Sequence, residues 1–533
     1  MKITKLLCCL LLVSTTAFCQ KSEFHVNIAK KIVGKNLIND TYIEGVEYIF
    51  QDKIHEYFID STMNYLTVQL RDFNTGGKKQ NTAGNILQYD LKDQKILWDQ
   101  KMDYQTCELQ KFGKFLIFND QTDSYGIDIQ TGNYFWKGKT SVYHASPERN
   151  IYLAYKRLNS KEYAQLSEEI TNELSCFDFF NNNKIWSRNI NREYGWNDVF
   201  YLNDSTLMVV AAGLHSMNIY TGEGWDYRTI TGKKMSSIST NEGAAMMGIM
   251  FGLIGALIYA AATNNDPITT NEDVIRDVVS NTLIDNEFIY FASMEQIVKL
   301  DKHSGEIIWK FPLKNKMTSQ SSIFLDDNIV YMINKGFASR GINQISFGNA
   351  FITAFDKQSG KQKYFTLLKD GVIINYKQID KYVYVLFQTR VVKFDLETGT
   401  FISKKIYPTD SFKELKNFTN NQNYFILNNG DVFNPDQSDS TNLHFNTNQR
   451  KILSVDKQLN IKNTIEYKDI AISLCTFNNH NFLSTDKKTY VINDDGKIIA
   501  ELEVTSNAFI VNDILYDKRE KSFIAIDLKN LCY

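Results

Sequence analysis

Short runs of alternating apolar and polar residues recur along most of the chain, and many are closed by an Asp or Asn turn. In SSIFLDDNIVYMIN, which starts at Ser321, two such runs flank a turn, and IINYKQIDKYVYVLF, which starts at Ile373, repeats the arrangement. Alternation with a period of two indicates strands, and Asp or Asn side chains stabilise the turns between them. The pattern predicts a chain built from many short antiparallel strands.

A second pattern places tryptophan at a fixed distance from an aspartate. In LQYDLKDQKILW the residues are Asp90 and Trp98, and the same eight-residue step recurs in three further copies, which carry Asp128, Gly132 and Trp136; Asp178 and Trp186; and Asp301, Gly305 and Trp309. SMNIYTGEGW is one residue shorter and carries Gly222 and Trp225, while degenerate copies keep Asp356 and Gly360, and Asp395 and Gly399. Each copy predicts a strand, a tight turn capped by Asp with Gly at positive φ, and a second strand opened by a ring that covers the seam to the next sheet.

This motif resembles the blade repeat of the quinoprotein-type (pyrroloquinoline-quinone-like) β-propeller family, A-x-D-x-x-T-G-x-x-x-W. The match is best from Asp90 to Trp309 and fades towards the C-terminus. Four strands per repeat predict an all-β fold, a single β-propeller of about eight blades within a range of seven to ten. The last segment, SFIAIDLKN, lacks an outer strand, and we expect EFHVNIAKKIV or EYIF near the N-terminus to supply it and close the ring.

The first residues, MKITKLLCCLLLVSTTAFCQ, have two lysines, an apolar core from Leu6 to Val13, and small residues at a cleavage point before Gln20. They predict a secretory signal over residues 1–19, a propeller over 20–533, and export to the periplasm or cell envelope. Lipid attachment at Cys19 is the alternative interpretation of the same segment.

An insert is predicted over residues 233–275, where residues 244–262 carry no charge. As a helix this run would be about 30 Å long. A single crossing of a bilayer would place early and late blades on opposite sides, which one closed ring does not permit. Small residues at every fourth position form a stripe for close backbone contact, at Ala244, Gly248, Gly252, Ala256 and Ala260. Three interpretations stay open: a buried cover on the propeller, self-association or docking of a partner helix, and shallow membrane contact.

Charge and metal-ligand patterns exclude several functions. The formal net charge is −2 with both signs interspersed, so a nucleic-acid partner is not expected. The histidines form neither HxH nor HExxH, and the cysteines that follow the signal form no CxxC. The quinoprotein dehydrogenases carry adjacent cysteines beside their cofactor, whereas the adjacent pair here, Cys8 and Cys9, lies in the signal segment. We therefore predict no cofactor, no metal and no catalytic residues.

The leading hypothesis is an exported, non-catalytic propeller that binds an envelope protein or other cell-surface component as a scaffold. By resemblance it is similar to the outer-membrane-assembly lipoprotein propellers. Two alternatives remain: a divergent quinoprotein-like dehydrogenase or carbohydrate-binding propeller, and a membrane-associated oligomer formed through residues 244–262. A protein partner is expected under the leading hypothesis.

Overall fold

The computed structural model describes most of the chain after the predicted signal. The described residues are 24–60, 62–71, 83–103, 108–119, 123–156, 172–191, 196–234, 274–314, 317–340, 343–373, 375–387, 390–406, 416–421, 424–428, 443–447, 451–455, 458–466, 471–478, 480–485, 487–493, 497–505 and 508–531. The predicted signal over residues 1–19 and the apolar run over residues 244–262 lie outside them. Within them the regular structure is strand, apart from two short 3-10 helices at Pro147–Arg149 and Leu528–Asn530.

The first part of the chain forms two N-terminal strands and then four four-stranded antiparallel sheets, named blades 1 to 4. The N-terminal strands are β1 (Asn27–Asn36) and β2 (Thr41–Ile49). Blades 1 to 4 are β3 (Ile54–Asp60), β4 (Tyr65–Leu70), β5 (Ala83–Asp90) and β6 (Lys95–Asp103); β7 (Glu108–Phe112), β8 (Phe115–Asn119), β9 (Ser124–Asp128) and β10 (Tyr134–Gly138); β11 (Thr140–Ser146), β12 (Ile151–Lys156), β13 (Glu173–Asp178) and β14 (Lys184–Asn189); and β15 (Trp196–Tyr201), β16 (Thr206–Ala211), β17 (Gly213–Asn218) and β18 (Asp226–Arg228).

Three more blades follow, with a small additional sheet between them. Its first two strands are β19 (Lys233–Lys234) and β20 (Val274–Arg276), and blade 5 is β21 (Leu283–Ile284), β22 (Phe288–Ala292), β23 (Gln296–Asp301) and β24 (Ile307–Pro312). Blade 6 starts with β25 (Ser321–Leu325) and β26 (Ile329–Asn334), is interrupted by β27 (Phe337–Arg340) and β28 (Asn343–Ser346), and ends with β29 (Phe351–Asp356) and β30 (Gln362–Leu367). Blade 7 is β31 (Asn375–Ile379), β32 (Tyr382–Phe387), β33 (Arg390–Asp395) and β34 (Phe401–Ile406).

The C-terminal part adds twelve strands. Residues 416–466 contribute β35 (Lys416–Asn421), β36 (Tyr424–Asn428), β37 (Leu443–Thr447), β38 (Lys451–Val455) and β39 (Ile461–Glu466). The penultimate blade is β40 (Ala471–Phe477), β41 (His480–Thr485), β42 (Thr489–Ile492) and β43 (Ile498–Leu502). The closing blade contains β44 (Phe509–Val511), β45 (Ile514–Lys518) and β46 (Ser522–Asp527).

The inner strands of each blade are buried on both faces, because every blade is packed between two neighbours. Five of the six residues of β16 are buried, and β26 is buried throughout; both strands are almost entirely apolar, with a polar residue only at one end, Thr206 in β16 and Asn334 in β26. The outermost strands alternate instead, as in β14, where Trp186 is the buried residue. The period-two pattern of the sequence therefore marks the rim of the ring more clearly than its core.

Neighbouring blades share hydrophobic clusters, which makes them one wall of sheets. Met208 and Val210 of blade 4 pack with Ile289 and Phe291 of blade 5, although residues 235–273 separate the two blades in sequence. Equivalent clusters join blades 1 and 2, 2 and 3, 3 and 4, 5 and 6, 6 and 7, the penultimate and closing blades, and the closing blade and blade 1. The wall runs without a break from the penultimate blade round to blade 7.

The two ends of the chain meet in the closing blade. Strand β2 pairs antiparallel with β46, from Val46 opposite Ala525 to Ile49 opposite Ser522, and so supplies the fourth strand. The expectation that an N-terminal segment supplies the missing outer strand of the last blade is confirmed, and the segment is the one that contains EYIF. Counting this blade, the described residues contain nine four-stranded blades, within the predicted range, and β35 to β39 lie between blade 7 and the penultimate blade.

Strand β1 adds a second connection, which we call the clasp together with β2. It pairs with β2 along its length and with β43 of the penultimate blade at Gly34 to Asn36. A Cβ atom on Gly34 would lie 2.2 Å from the carbonyl oxygen of Glu501, so glycine is needed for this close approach. The clasp therefore links the outer strands of two blades in one continuous sheet.

Candidate interaction face

The two ends of the ring differ in what they carry. In an antiparallel blade, the turns between its first and second strands and between its third and fourth strands lie at one end, and the other connections lie at the opposite end. The Asp turns of the repeat belong to the first group and form what we call the turn end. The second group forms the insertion end.

Long connections are confined to the insertion end of blades 1 to 7. Residues 71–82 join β4 to β5, residues 157–172 join β12 to β13, and residues 335–350 join β26 to β29. The apolar segment also leaves from this end, because it lies between the last strand of blade 4 and the first strand of blade 5. The longest connection at the turn end of these blades spans only residues 219–225. In blades 1 to 7, the turn end therefore carries only short connections, and the insertion end carries the long ones.

The small sheet β19-β20-β27-β28, which we call the accessory sheet, lies at the insertion end and joins two of these connections. Lys234 pairs with Val274 on adjacent strands, so the two residues that flank segment 235–273 lie next to each other. Ile275 in turn pairs with Arg340 of the connection inside blade 6. The outermost residues of the predicted insert are therefore strands, and the sheet fixes both ends of residues 235–273 to blade 6.

Buried contacts hold the accessory sheet on the ring. Ile275, Val278 and Ala338 form a buried cluster against Met294, which lies in a turn of blade 5. Beneath it, the fully buried Asn334 donates from Nδ2 to the carbonyl oxygens of Met317 (3.1 Å) and Asn349 (2.6 Å) and accepts from the Ser319 N–H (2.8 Å). A buried amide with all its partners fixes one arrangement of the chain. The accessory sheet is therefore packed against blade 5 and joined to blade 6 at a fully hydrogen-bonded position, and we call it the platform.

A group of basic side chains lies near the junction of blade 1 and the closing blade at the same end. Burial, with the nearby charges of Arg71 and Lys518, lowers the pKa of His55 to about 4, so its ring is neutral at neutral pH. Burial also raises the pKa of Glu56, against the opposing effect of Lys518. Within the described residues no group of three or more His, Cys, Asp or Glu side chains could hold a metal ion.

At the turn end, each repeat aspartate or asparagine organises its own turn. Oδ1 of Asp301 accepts from the N–H groups of His303 (2.9 Å) and Ser304 (2.7 Å), and the Gly305 N–H donates to the Asp301 carbonyl. Asp90, Asp128, Asp178, Asp356 and Asp395 accept turn N–H groups in the same way. These carboxylates satisfy turn backbone, which accounts for their repeated spacing.

The repeat tryptophans and glycines meet across the seams between blades. A Cβ atom on Gly305 of blade 5 would lie 2.4 Å from the ring of Trp225 of blade 4, and the Trp225 indole donates to the Lys302 carbonyl (3.2 Å). The same pairing joins Trp98 to Gly132, Trp186 to Gly222, Trp309 to Gly360 and Tyr364 to Gly399. Each aromatic side chain therefore packs on the glycine turn of the following blade. Its N–H or O–H donates to the carbonyl of the residue that follows the Asp or Asn of that same turn.

Two seams depart from this pattern. Trp136 of blade 2 faces a turn in which Asn182 takes the positive-φ position; it stacks on Tyr152 (centroids 4.9 Å apart), and its Nε1 is buried without a hydrogen-bond partner. Between the closing blade and blade 1, Tyr48 of the N-terminal strand takes the tryptophan's place, with its hydroxyl 3.5 Å from the Leu91 carbonyl. Asp40 lies eight residues before Tyr48, but it belongs to the β1–β2 turn and not to β46, the blade strand that pairs with β2, so the repeat alone does not reveal this seam.

The difference between Trp136 and Trp186 gives a matched pair of substitutions. Both side chains are buried, but the Trp186 indole donates to the Ile219 carbonyl (2.8 Å). Trp186→Phe should therefore lower the free energy of unfolding by about 1 kcal/mol more than Trp136→Phe does, since only the first removes a hydrogen bond. Urea denaturation measures both, and equal losses would show that the indole bond contributes nothing.

Other residues singled out in the sequence fall outside the interaction face or outside the described chain. Ala244, Gly248, Gly252, Ala256 and Ala260 lie in the undescribed segment 235–273. Cys176 is a buried free thiol in blade 3, and burial raises its pKa to about 12, which makes it unreactive. No helix of the described residues has the length and apolar character needed to cross a membrane.

Comparison with known proteins returns propeller structures at low identity. No family model matches the chain, and no curated protein matches it. BamB from Moraxella catarrhalis is 11% identical over 74% of this chain and 96% of its own, with a TM-score of 0.32. Apo AztD from Citrobacter koseri is 8% identical over 73% of this chain and 94% of its own, with a TM-score of 0.31. The dihydro-heme d1 dehydrogenase NirN in complex with DHE is 10% identical over 89% of this chain and 77% of its own, with a TM-score of 0.33. At these identities the likeness concerns the fold alone, and the quinoprotein-type repeat stays a prediction from its residues.

Proposed function

We propose that this chain is an exported, non-catalytic β-propeller that binds an envelope protein through its insertion end. The observation that carries the proposal is the concentration of long connections, with the accessory sheet, at one end of a rigid ring. Binding residues are commonly displayed on loops held by a rigid scaffold, because loops vary while the framework stays fixed. The turn end lacks such loops in blades 1 to 7, so it serves the framework.

The accessory sheet gives the proposal a location. It fixes both ends of residues 235–273 beside blade 6, so the stripe at Ala244, Gly248, Gly252, Ala256 and Ala260 would be displayed from that platform. We propose that this stripe contributes to the contact with the partner, since small residues allow close backbone packing. Export to the periplasm or cell envelope, indicated by the N-terminal signal pattern, would bring the platform to an envelope partner.

Photo-cross-linking from the two ends tests this function. A photoreactive residue at the exposed positions Ser346 or Arg228 of the insertion end should cross-link to one envelope protein in intact cells, identified by mass spectrometry. The same group at Phe180 or Tyr220, both exposed at the turn end, is the matched control and should give no such product. Cross-links from the turn end alone, or from neither end, would overturn the proposal.

A further inference from the structure

The turn of the clasp presents two large aliphatic side chains to solvent. Leu37 and Ile38 are 45% and 68% exposed, although tips of tight turns are usually occupied by small or polar residues. The turn is held in place: Asn36 Oδ1 accepts from the Ile38 N–H (2.9 Å), and the Leu37 N–H donates to the Ile499 carbonyl of the penultimate blade (2.8 Å). Two apolar side chains are thus fixed outward on an ordered tip, which we call the knob.

A groove lies beside the knob, between the clasp and the penultimate blade. Its cavity of about 170 Å³ has Ile32, Tyr42 and Leu502 as its large apolar lining residues, with Lys488 and Glu501 at its polar side. Ile32 and Tyr42 are 56% and 70% exposed, so the apolar lining is open to solvent. A cavity of about 150 Å³ accommodates a benzene-sized group, so this groove has room for one aliphatic side chain.

Most of the charged side chains around this patch are paired within the molecule, and Glu503 is a further carboxylate that lines the groove. Lys30 lies 3.9 Å from Glu44 and Lys31 lies 3.1 Å from Glu47 across the clasp, and Lys35 pairs with Asp40 beside the knob. Lys488 pairs with Glu501 at the groove. A surface whose charges are paired in this way does not strongly repel an identical surface.

We propose that the clasp binds a second copy of this chain, with the knob of each copy seated in the groove of the other. A knob and a groove of matching size on one patch are self-complementary, so a single twofold axis makes both contacts at once. The exposed apolar residues of the clasp would form the buried centre of this dimer: Ile28, Ile32, Leu37, Ile38 and Tyr42. The proposal does not depend on the partner bound at the insertion end.

Sedimentation velocity over a range of protein concentrations tests the dimer. The wild-type chain should show a concentration-dependent shift from monomer to dimer. Ile38→Asp should raise the dissociation constant by about tenfold or more, because a carboxylate would be buried in an apolar groove. Ile308→Asp, at a comparably exposed isoleucine on the rim of blade 5, is the matched control and should leave the dimer intact. An unchanged thermal midpoint of the Ile38→Asp variant shows that its effect is not loss of folding.

Cross-linking between copies locates the contact. A photoreactive group at position 38 of an isotopically light copy should cross-link to peptides containing Lys488 or Leu502 of a heavy copy in a mixed sample. A chain that stays monomeric at every concentration overturns the proposal, and so does a dimer that Ile38→Asp does not weaken. Cross-links between copies that map away from the groove also overturn it. If a lipid or an unrelated protein is the natural occupant of the groove, the purified chain would stay monomeric.

Discussion

Gly305→Ala should lower the free energy of unfolding by about 3 kcal/mol, although it adds one methyl group. Gly305 lies in the left-handed region at φ +73°, where an L-residue costs about 1 to 2 kcal/mol. The new Cβ atom would also lie 2.4 Å from the Trp225 ring, and such overpacking costs about 1 to 3 kcal/mol. The substitution therefore strains the turn and opens the seam between blades 4 and 5. Urea denaturation measures the loss.

Gly113→Ala is the matched control for the backbone contribution. Gly113 has a similar φ of +58°, but a Cβ atom there would have no neighbour within 4 Å. It should cost about 1 kcal/mol, from the left-handed backbone alone. The double variant Gly305→Ala with Trp225→Ala should lose less than the sum of the two single losses, because removing the ring relieves the overlap. Equal losses at Gly113 and Gly305, or strict additivity of the double variant, would contradict the proposed seam.

The repeat predicted the fold because its chemistry is local. An Asp that caps a turn, a Gly at positive φ and an aromatic residue eight positions after the Asp are set within one blade, so they are visible in the sequence as a spacing. The residue that this aromatic side chain contacts is not visible in the sequence in the same way. Trp225 packs on Gly305 of the next blade, and only the ring architecture brings the two residues together.

Non-local features of the fold were harder to predict. Tyr48 lies on an N-terminal strand of the closing blade, whose other three strands come from the C-terminal end of the chain, and Asn182 replaces the turn glycine in blade 3. Strands β19 and β20 contain two and three residues, too few for any periodicity, so the accessory sheet has no sequence signal. The ambiguity in blade number has a related cause, since the repeat decays and Ser403 stands where Trp would follow Asp395.

The insertion end could have been found from the sequence by one further step. In an antiparallel blade, every second connection lies at the same end, so the spacing between strand pairs identifies the end that carries long connections. The spacing between strand pairs identifies which end carries the long connections, but it does not show how those connections are arranged. The pinning of residues 233–234 and 274–276 to blade 6 depends on backbone pairing that no residue pattern specifies.

The second large effect is expected from excising the apolar segment, because it should remove partner binding and leave the ring intact. Lys234 and Val274 are paired neighbours in β19 and β20, so residues 235–273 can be replaced by Asn-Gly, which closes a two-residue hairpin. The shorter connection costs less loop entropy, so the free energy of unfolding should stay the same or rise by up to about 2 kcal/mol. The cross-link from Ser346 to an envelope protein should be lost.

A larger excision provides the control for this variant. Removing residues 233–276 also deletes β19 and β20, together with the buried Ile275 and Arg276 and the pairing to β27. Loss of a buried aliphatic side chain alone costs about 2 to 5 kcal/mol, so this chain should be clearly less stable than the Asn-Gly variant. Equal stability of the two variants would show that the accessory sheet does not hold the platform in place.

The central claim is that blades 4 and 5 are direct neighbours in one wall, with the apolar segment leaving and returning at one point. Hydrogen exchange of the Asn-Gly variant tests it most directly, at the amides of Met208 to Val210 and Ile289 to Phe291. We predict protection equal to that of the intact chain at both sites, since their shared cluster does not involve the excised residues. Loss of protection at these amides, with the rest of the chain still folded, would contradict the account.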